Sequence, residues 1–172
     1  IMKRNLFLFA LLLIPSSAWA RQDSAPQPEV TYTVDVGEPL SGRAKITMHI
    51  SNNRADHIEV SIPRWNPGSY RFQDHYKTIH NVSADQEVSR ISKGTWRFPA
   101  KGSDVTFRYD VLVPRKRLDA DHFFFEAPSL YMYVVGHKNV LHRVQFIVPR
   151  GWKIATGLNQ AGKYYQARDY DT

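Results

Sequence analysis

The feature that most constrains this chain is a period of two. Val30, Tyr32, Val34 and Val36 alternate with Thr31, Thr33 and Asp35; Ala44, Ile46, Met48 and Ile50 alternate with Lys45, Thr47 and His49; Ile58, Val60 and Ile62 alternate with Glu59 and Ser61. The same alternation returns in Val105-Phe107-Tyr109-Val111-Val113 and in Val144-Phe146-Val148. Successive side chains of a strand point to opposite faces, so each run reads as a strand with one face buried. Turn residues such as Gly37-Glu38-Pro39 and Ser51-Asn52-Asn53 bound the runs. Shorter strands are expected at residues 87–91, 95–98, 123–125, 130–135 and 163–167. No stretch after residue 20 sustains a helical period, and the best helical candidate, Gln73 to Ile79, offers one or two turns. Many short strands with Gly, Pro and Asn turns predict an all-β fold, an antiparallel β-sandwich with little or no helix; a parallel sheet would need long crossover helices.

The N-terminus breaks this pattern. Lys3 and Arg4 precede an apolar run from Leu6 to Ile14, and Ala18-Trp19-Ala20 supplies small residues two apart. Charge, apolar run and small-residue pair in that order predict a signal peptide over residues 1–20, cut after Ala20. As a helix the run rises only about 14 Å, against roughly 30 Å of hydrocarbon core, so no stable membrane span is expected after its removal. Residues 21–29 are polar and proline-bearing and read as a flexible leader. Residues 30–172 then form one β-sandwich domain, long enough for a hydrophobic core of its own. With no cysteine in the chain there is neither a disulfide framework nor a lipid-acceptor thiol, and a freely soluble, secreted periplasmic protein is expected. The formal charge of +7 is spread along the chain apart from Arg115-Lys116-Arg117, which reads as a solvated turn, and no nucleic-acid partner is expected.

A complete catalytic site is not visible. The histidines, His49, His57, His75, His80, His122, His137 and His142, stand singly, and no His-Glu-x-x-His places two zinc ligands and a base on one helix face. There is no Cys nucleophile, no Gly-x-Ser-x-Gly elbow and no phosphate-binding glycine loop. Asp119, Asp121 and Glu126 flank an aromatic run and could in principle act as paired carboxylates, though acids in loops are commoner. No catalytic or metal-binding residue is assigned within the chain.

One segment stands apart: Ile62-Pro63-Arg64-Trp65-Asn66-Pro67-Gly68-Ser69-Tyr70-Arg71. Proline second and glycine third in Asn66-Pro67-Gly68-Ser69 fit a type II turn, since proline presets φ and glycine accepts positive φ. Trp65 and Tyr70 flank the turn. On the residues alone this is either a rigid corner with two aromatics packed on the sandwich or an aromatic recognition loop on a rigid scaffold.

The block Pro63-x-Trp65-x-Pro67-Gly68-Ser69-Tyr70 followed by Asp74 resembles the N-terminal domain of glycyl aminopeptidase-type zinc metallopeptidases, the sixty-first metallopeptidase family. A second block, Pro149-x-Gly151-Trp152-x-x-Ala155-Thr156-Gly157-Leu158 and then Ala167-x-Asp169-Tyr170-Asp171, resembles the end of the same domain. The resemblance implies an all-β domain preceding a thermolysin-like zinc catalytic domain that removes N-terminal residues, typically glycine or alanine. The likeness stops at Asp171-Thr172, about where such chains enter their catalytic portion. The expectation is therefore the non-catalytic N-terminal domain of an exported zinc aminopeptidase, a fragment or truncated chain without its catalytic domain. Zinc is expected in that missing domain and no cofactor here; the partners are the catalytic domain and peptide substrate. Trp65, Pro67, Gly68, Ser69, Tyr70 and Arg71 are the candidate cleft or interface loop. The alternatives are a stand-alone periplasmic sandwich that binds peptide or carbohydrate through Phe123, Phe124, Phe125, Tyr131 and Tyr133, and the remnant of a disrupted peptidase gene.

Overall fold

The computed structural model describes residues 27–172. The expected signal peptide, its Ala18 and Ala20, and residues 21–26 of the expected leader lie outside the described residues. Eleven strands run in chain order: β1 (Glu29–Asp35), β2 (Arg43–Ser51), β3 (His57–Ser61), β4 (Ile79–Ala84), β5 (Ser89–Ser92), β6 (Thr95–Pro99), β7 (Val105–Leu112), β8 (Tyr133–Val134), β9 (His142–Ile147), β10 (Asn159–Ala161) and β11 (Tyr164–Ala167). They form a seven-stranded sheet ordered β10-β11-β9-β1-β2-β7-β4 and a four-stranded sheet ordered β5-β6-β3-β8. The alternation read from sequence is the burial pattern found: Val30, Tyr32 and Val34 on β1, Ala44, Ile46, Met48 and Ile50 on β2, and Val105, Phe107, Tyr109 and Val111 on β7 are all buried. Phe98 of β6 stacks on Phe107 of β7 with ring centroids 5.2 Å apart, which joins the inner faces of the two sheets into one core. Burial of each such side chain contributes ~1.5–3 kcal/mol.

Several features depart from the sequence reading. One pair is parallel: β1 runs beside β9, from Val30↔His142 to Asp35↔Ile147. The body of the domain, residues 36–141, serves as the crossover in place of a helix, so the all-β class survives while the sheet is not purely antiparallel. The segment 130–135 is a strand only at Tyr133–Val134, preceded by a four-residue helical turn, α1 (Ala127–Leu130). Its backbone groups go to tyrosine hydroxyls instead of a ladder: Tyr109 Oη donates to Leu130 O (2.9 Å) and accepts from Met132 N–H (3.1 Å), and Tyr32 Oη donates to Met132 O (2.6 Å). Residues 123–125 make only an isolated bridge, Leu118↔Phe123. Conversely β4 went unread, because only Ile79 of its six residues is buried and the strand is held at the sheet edge by β7. The helical candidate at 73–79 is a 3-10 turn, His75–Thr78.

The larger sheet outreaches the smaller one. At its β9–β11 end the inner face is covered by loop residues, with Phe125 against Phe146 at 6.4 Å and Tyr170 edge-on to His142 at 5.7 Å. Among the described residues no helix is long and apolar enough to cross a membrane.

Candidate functional site

The chain leaves the end of β3 through buried Ile62, whose N–H reaches Gly94 O at 2.9 Å, and turns outward at Pro63. It returns where Gln73 N–H meets Arg64 O at 2.6 Å, which closes residues 64–73 into a loop with adjacent ends. Inside it, Ser69 N–H bonds Asn66 O at 3.0 Å and Gly68 has φ +79°, the bond and the positive φ of a type II turn with proline second. Trp65 Nε1–H donates to Ser69 O at 2.6 Å, so the indole braces the turn it precedes. Gln73 Nε2 donates to Ser69 Oγ at 3.1 Å.

Asn66 ties this turn to the rest of the domain. Its Nδ2 donates to Glu126 Oε2 at 2.7 Å, and its Oδ1 lies 2.8 Å from His75 Nε2. An amide oxygen has only lone pairs to offer, so His75 Nε2 must carry the hydrogen. Glu126 also sits 3.9 Å from the Arg117 guanidinium. Partial burial pushes the His75 imidazole down from the ordinary histidine range; the Glu126 carboxylate opposes that shift and Arg117 adds to it. Two loops far apart in sequence are thus joined through one asparagine.

The loop is held firmly and presents its aromatics to solvent. Tyr70 is fully exposed, Phe72 is 77% and Trp65 52% exposed, and the Arg64 guanidinium lies 5.2 Å over the Phe72 ring. Tyr70 does not pack on the sandwich, and Trp65 packs on its own turn. Between the turn and the 113–126 region lies a groove of about 590 Å³ lined by Asn66, Ser69, His75, Lys116, Arg117 and Glu126 among others. Pro67, Gly68 and Ser69 border it; Trp65, Tyr70, Arg71 and Phe72 form a shallower depression beside it. The arrangement offers flat apolar faces, cationic groups and several fixed donors and acceptors, and contains no nucleophile–base pair.

The other aromatics singled out from sequence serve the interior. Phe123 stacks on Phe125 at 5.0 Å, Phe125 meets Tyr131 edge-on at 5.7 Å, and Tyr131 is buried against Tyr32 at 4.9 Å. Tyr131 and Tyr133 therefore offer no shared stacking face for a sugar; of this group Phe124 alone is strongly exposed, under the Arg117 guanidinium. Asp119 accepts backbone N–H bonds from Asp121 (2.8 Å) and His122 (3.1 Å), which hold its carboxyl below the usual range, and Glu126 is committed to Asn66. These acids close loops. Among the described residues no three His, Asp or Glu side chains converge to hold a metal ion, so the zinc implied by the family resemblance finds no ligand set here.

The second motif block is a latch. Tyr170 Oη donates to Tyr131 O at 2.7 Å and Tyr170 N–H to Lys138 O at 2.8 Å, while Asp169 accepts from Asp171 N–H and Thr172 Oγ1. The sequence pattern of the Peptidase M61 N-terminal domain matches residues 31–172, a span that takes in both motif blocks and every strand but the first two residues of β1. The chain belongs to the Peptidase M61 N-terminal domain family. Its fold is also that of part of a crystal structure of an aminopeptidase N family protein from Idiomarina loihiensis, with a TM-score of 0.72 at 24% identity over 83% of this chain. The chain spans about a quarter of that protein, 27% of its length. Among curated proteins none matches significantly.

The family resemblance read from the two blocks is thereby borne out, and the structure adds what each block does locally. What sequence reasoning missed is the Asn66–His75–Glu126 junction. Asn at the first place of a Pro-Gly turn is a legible turn signal, but its side-chain partners are nine and sixty residues away. No local pattern announces them.

Proposed function

We propose that this domain is the non-catalytic N-terminal part of an exported zinc aminopeptidase, bracing a catalytic domain and forming one wall of the cleft that receives the peptide. The reading rests on family membership for the enzyme class. For the wall it rests on one observation: a turn fastened at both ends that nonetheless holds Trp65, Tyr70 and Phe72 open to solvent. Exposed aromatics on a mobile loop would lose much of their binding energy to ordering, whereas a loop already fixed by Asn66, Ser69 and Gln73 does not. Flat rings suit the backbone and side chains of an extended peptide, and Arg64 and Arg71 beside them suit its carboxylates. In this reading the zinc, its ligands and the general base are supplied by the catalytic domain, and this chain orients substrate and excludes water. Lys3 and Arg4 before the apolar run Leu6 to Ile14, with Ala18 and Ala20 after it, support export to the periplasm as part of this reading.

The test is kinetic and uses the full-length peptidase. Trp65→Ala and Tyr70→Ala are expected to raise KM for peptides several residues long by roughly tenfold with kcat little changed, as loss of uniform binding does. Tyr70→Ala should leave Tm unaltered, since that side chain touches no core. Unchanged kinetics in both variants would remove the loop from the cleft.

A further inference from the structure

Across the groove from the 66–69 turn stands the basic turn Arg115-Lys116-Arg117. Its backbone is fixed: Arg117 N–H reaches Pro114 O at 2.7 Å, Phe124 N–H reaches Arg117 O at 2.7 Å, and the next residue, Leu118, is 1% exposed. Lys116 and Arg117 line the groove, and Arg115 does not. The polar side chains of the opposite wall and floor are already engaged. Asn66 is shared between Glu126 and His75, Ser69 Oγ accepts from Gln73 and donates to Arg71 O, Thr78 Oγ1 donates to His75 O and Ser129 Oγ to Glu126 O.

The two cations are left with donors to spare. The Arg117 side chain is only 34% exposed, yet its guanidinium makes no hydrogen bond among the described residues. Glu126 Oε2 stands 3.9 Å from it and is taken at 2.7 Å by Asn66, while the Phe124 ring lies 5.8 Å beneath. Lys116 is exposed and forms no ion pair among the described residues. A guanidinium that is largely covered and unbonded is a ready fork for a planar group with two acceptor oxygens. Among the described residues Glu126 is the one acid in the lining against Lys116 and Arg117, so the groove favours a negative guest. Gly68 and Ser69 border both this groove and the depression of Trp65 and Tyr70, so a chain laid on those rings continues into the groove over the turn. We propose that the groove is a carboxylate subsite, in which Arg117 with Lys116 beside it receives a carboxylate of the peptide whose neighbouring residues lie on Trp65 and Tyr70. This rests on the reading of the loop as one wall of the peptide cleft and names the class of peptide that wall prefers.

NMR titration of the 172-residue chain with two amidated peptides, Gly-Ala-Phe-Ala-Asp-amide and its Asn counterpart, tests this. The Asp peptide is expected to bind roughly tenfold more tightly in low salt, the worth of one charge-assisted contact. That preference should shrink at about 1 M salt, where charges are screened within a few ångströms. In the unaltered chain the Arg117 Nε–Hε resonance should move with the Asp peptide and stay with the Asn peptide. Arg117→Gln should abolish the preference, and Arg115→Gln, which removes the same charge outside the groove, should leave it. Equal binding of the two peptides, an unmoved Arg117 resonance at saturating Asp peptide, or an equal loss from Arg115→Gln would overturn the assignment. A third peptide, Gly-Ala-Phe-Ala-Ala with a free C-terminus, separates the sources. If it binds like the Asp peptide, the subsite takes the C-terminal carboxylate; if it binds like the Asn peptide, the subsite takes acidic side chains. The two readings fail separately. Equal binding of the Asp and Asn peptides, with altered kinetics in Trp65→Ala and Tyr70→Ala, removes the subsite and leaves the wall. A preference that depends on Arg117, with unchanged kinetics in those variants, removes the wall and leaves a carboxylate site.

Discussion

Tyr109 shows how much a single hydroxyl can organise. It is buried between the sheets, donates to Leu130 O and accepts from Met132 N–H, so one oxygen satisfies two backbone groups that have no strand partner. Tyr109→Phe keeps the ring and orphans both groups, and should cost about 1–3 kcal/mol in a urea titration. Gly68 makes a contrasting case at the surface. A Cβ there would meet nothing within 4 Å, yet φ is +79°, so Gly68→Ala should cost about 1–2 kcal/mol through backbone strain alone, measured as a lowered Tm. The two residues also differ in legibility. Gly68 is readable because a Pro-Gly pair states its own geometry, whereas the partners of Tyr109 are twenty-one and twenty-three residues distant and fall where strand patterning predicted a ladder.

Among the elements, the 64–73 loop and β8 show opposite failures of local reading. Residues 130–135 are a continuous apolar and aromatic run that reads as a strand, and the tyrosine clamps of Tyr32, Tyr109 and Tyr170 take their backbone groups before pairing can extend beyond Tyr133–Val134. The loop has no periodicity, yet it is among the more tightly fastened segments. Its anchor carries a pH dependence. The His75 pKa is depressed in the folded state, chiefly by desolvation, so the stability it contributes is present above about pH 6.5, the value of an unfolded histidine. That contribution is lost as pH falls through the lower folded value. An NMR titration should place the His75 midpoint below that of a free histidine, with the Asn66 side-chain amide shifting in step. Asn66 resonances indifferent to that titration would show that the anchor does not depend on the imidazole.

For the whole molecule, the decisive contact is between sheets. Phe107 is fully buried on β7, stacked on Phe98 of β6 and tilted against Tyr109 at 5.7 Å. Phe107→Ala should cost about 3–5 kcal/mol, seen as a lower denaturation midpoint with an unchanged slope, because the cavity weakens the packing of both sheets without altering what unfolds. The sequence alone determined the class of the fold, the faces of β1, β2, β3, β7 and β9, and the turn at Pro67-Gly68, because alternation and turn chemistry are local consequences of backbone geometry. It also carried the family, through two motif blocks. Only the tertiary structure decided that β1 pairs in parallel with β9, that Phe123, Phe125 and Tyr131 belong to the interior while Trp65, Tyr70 and Phe72 stay outside, and that His142 is buried between the rings of Tyr32 and Tyr170. Each of these depends on which distant segment comes to lie opposite, and burial and hydrogen-bond satisfaction, summed over the whole chain, settle that choice.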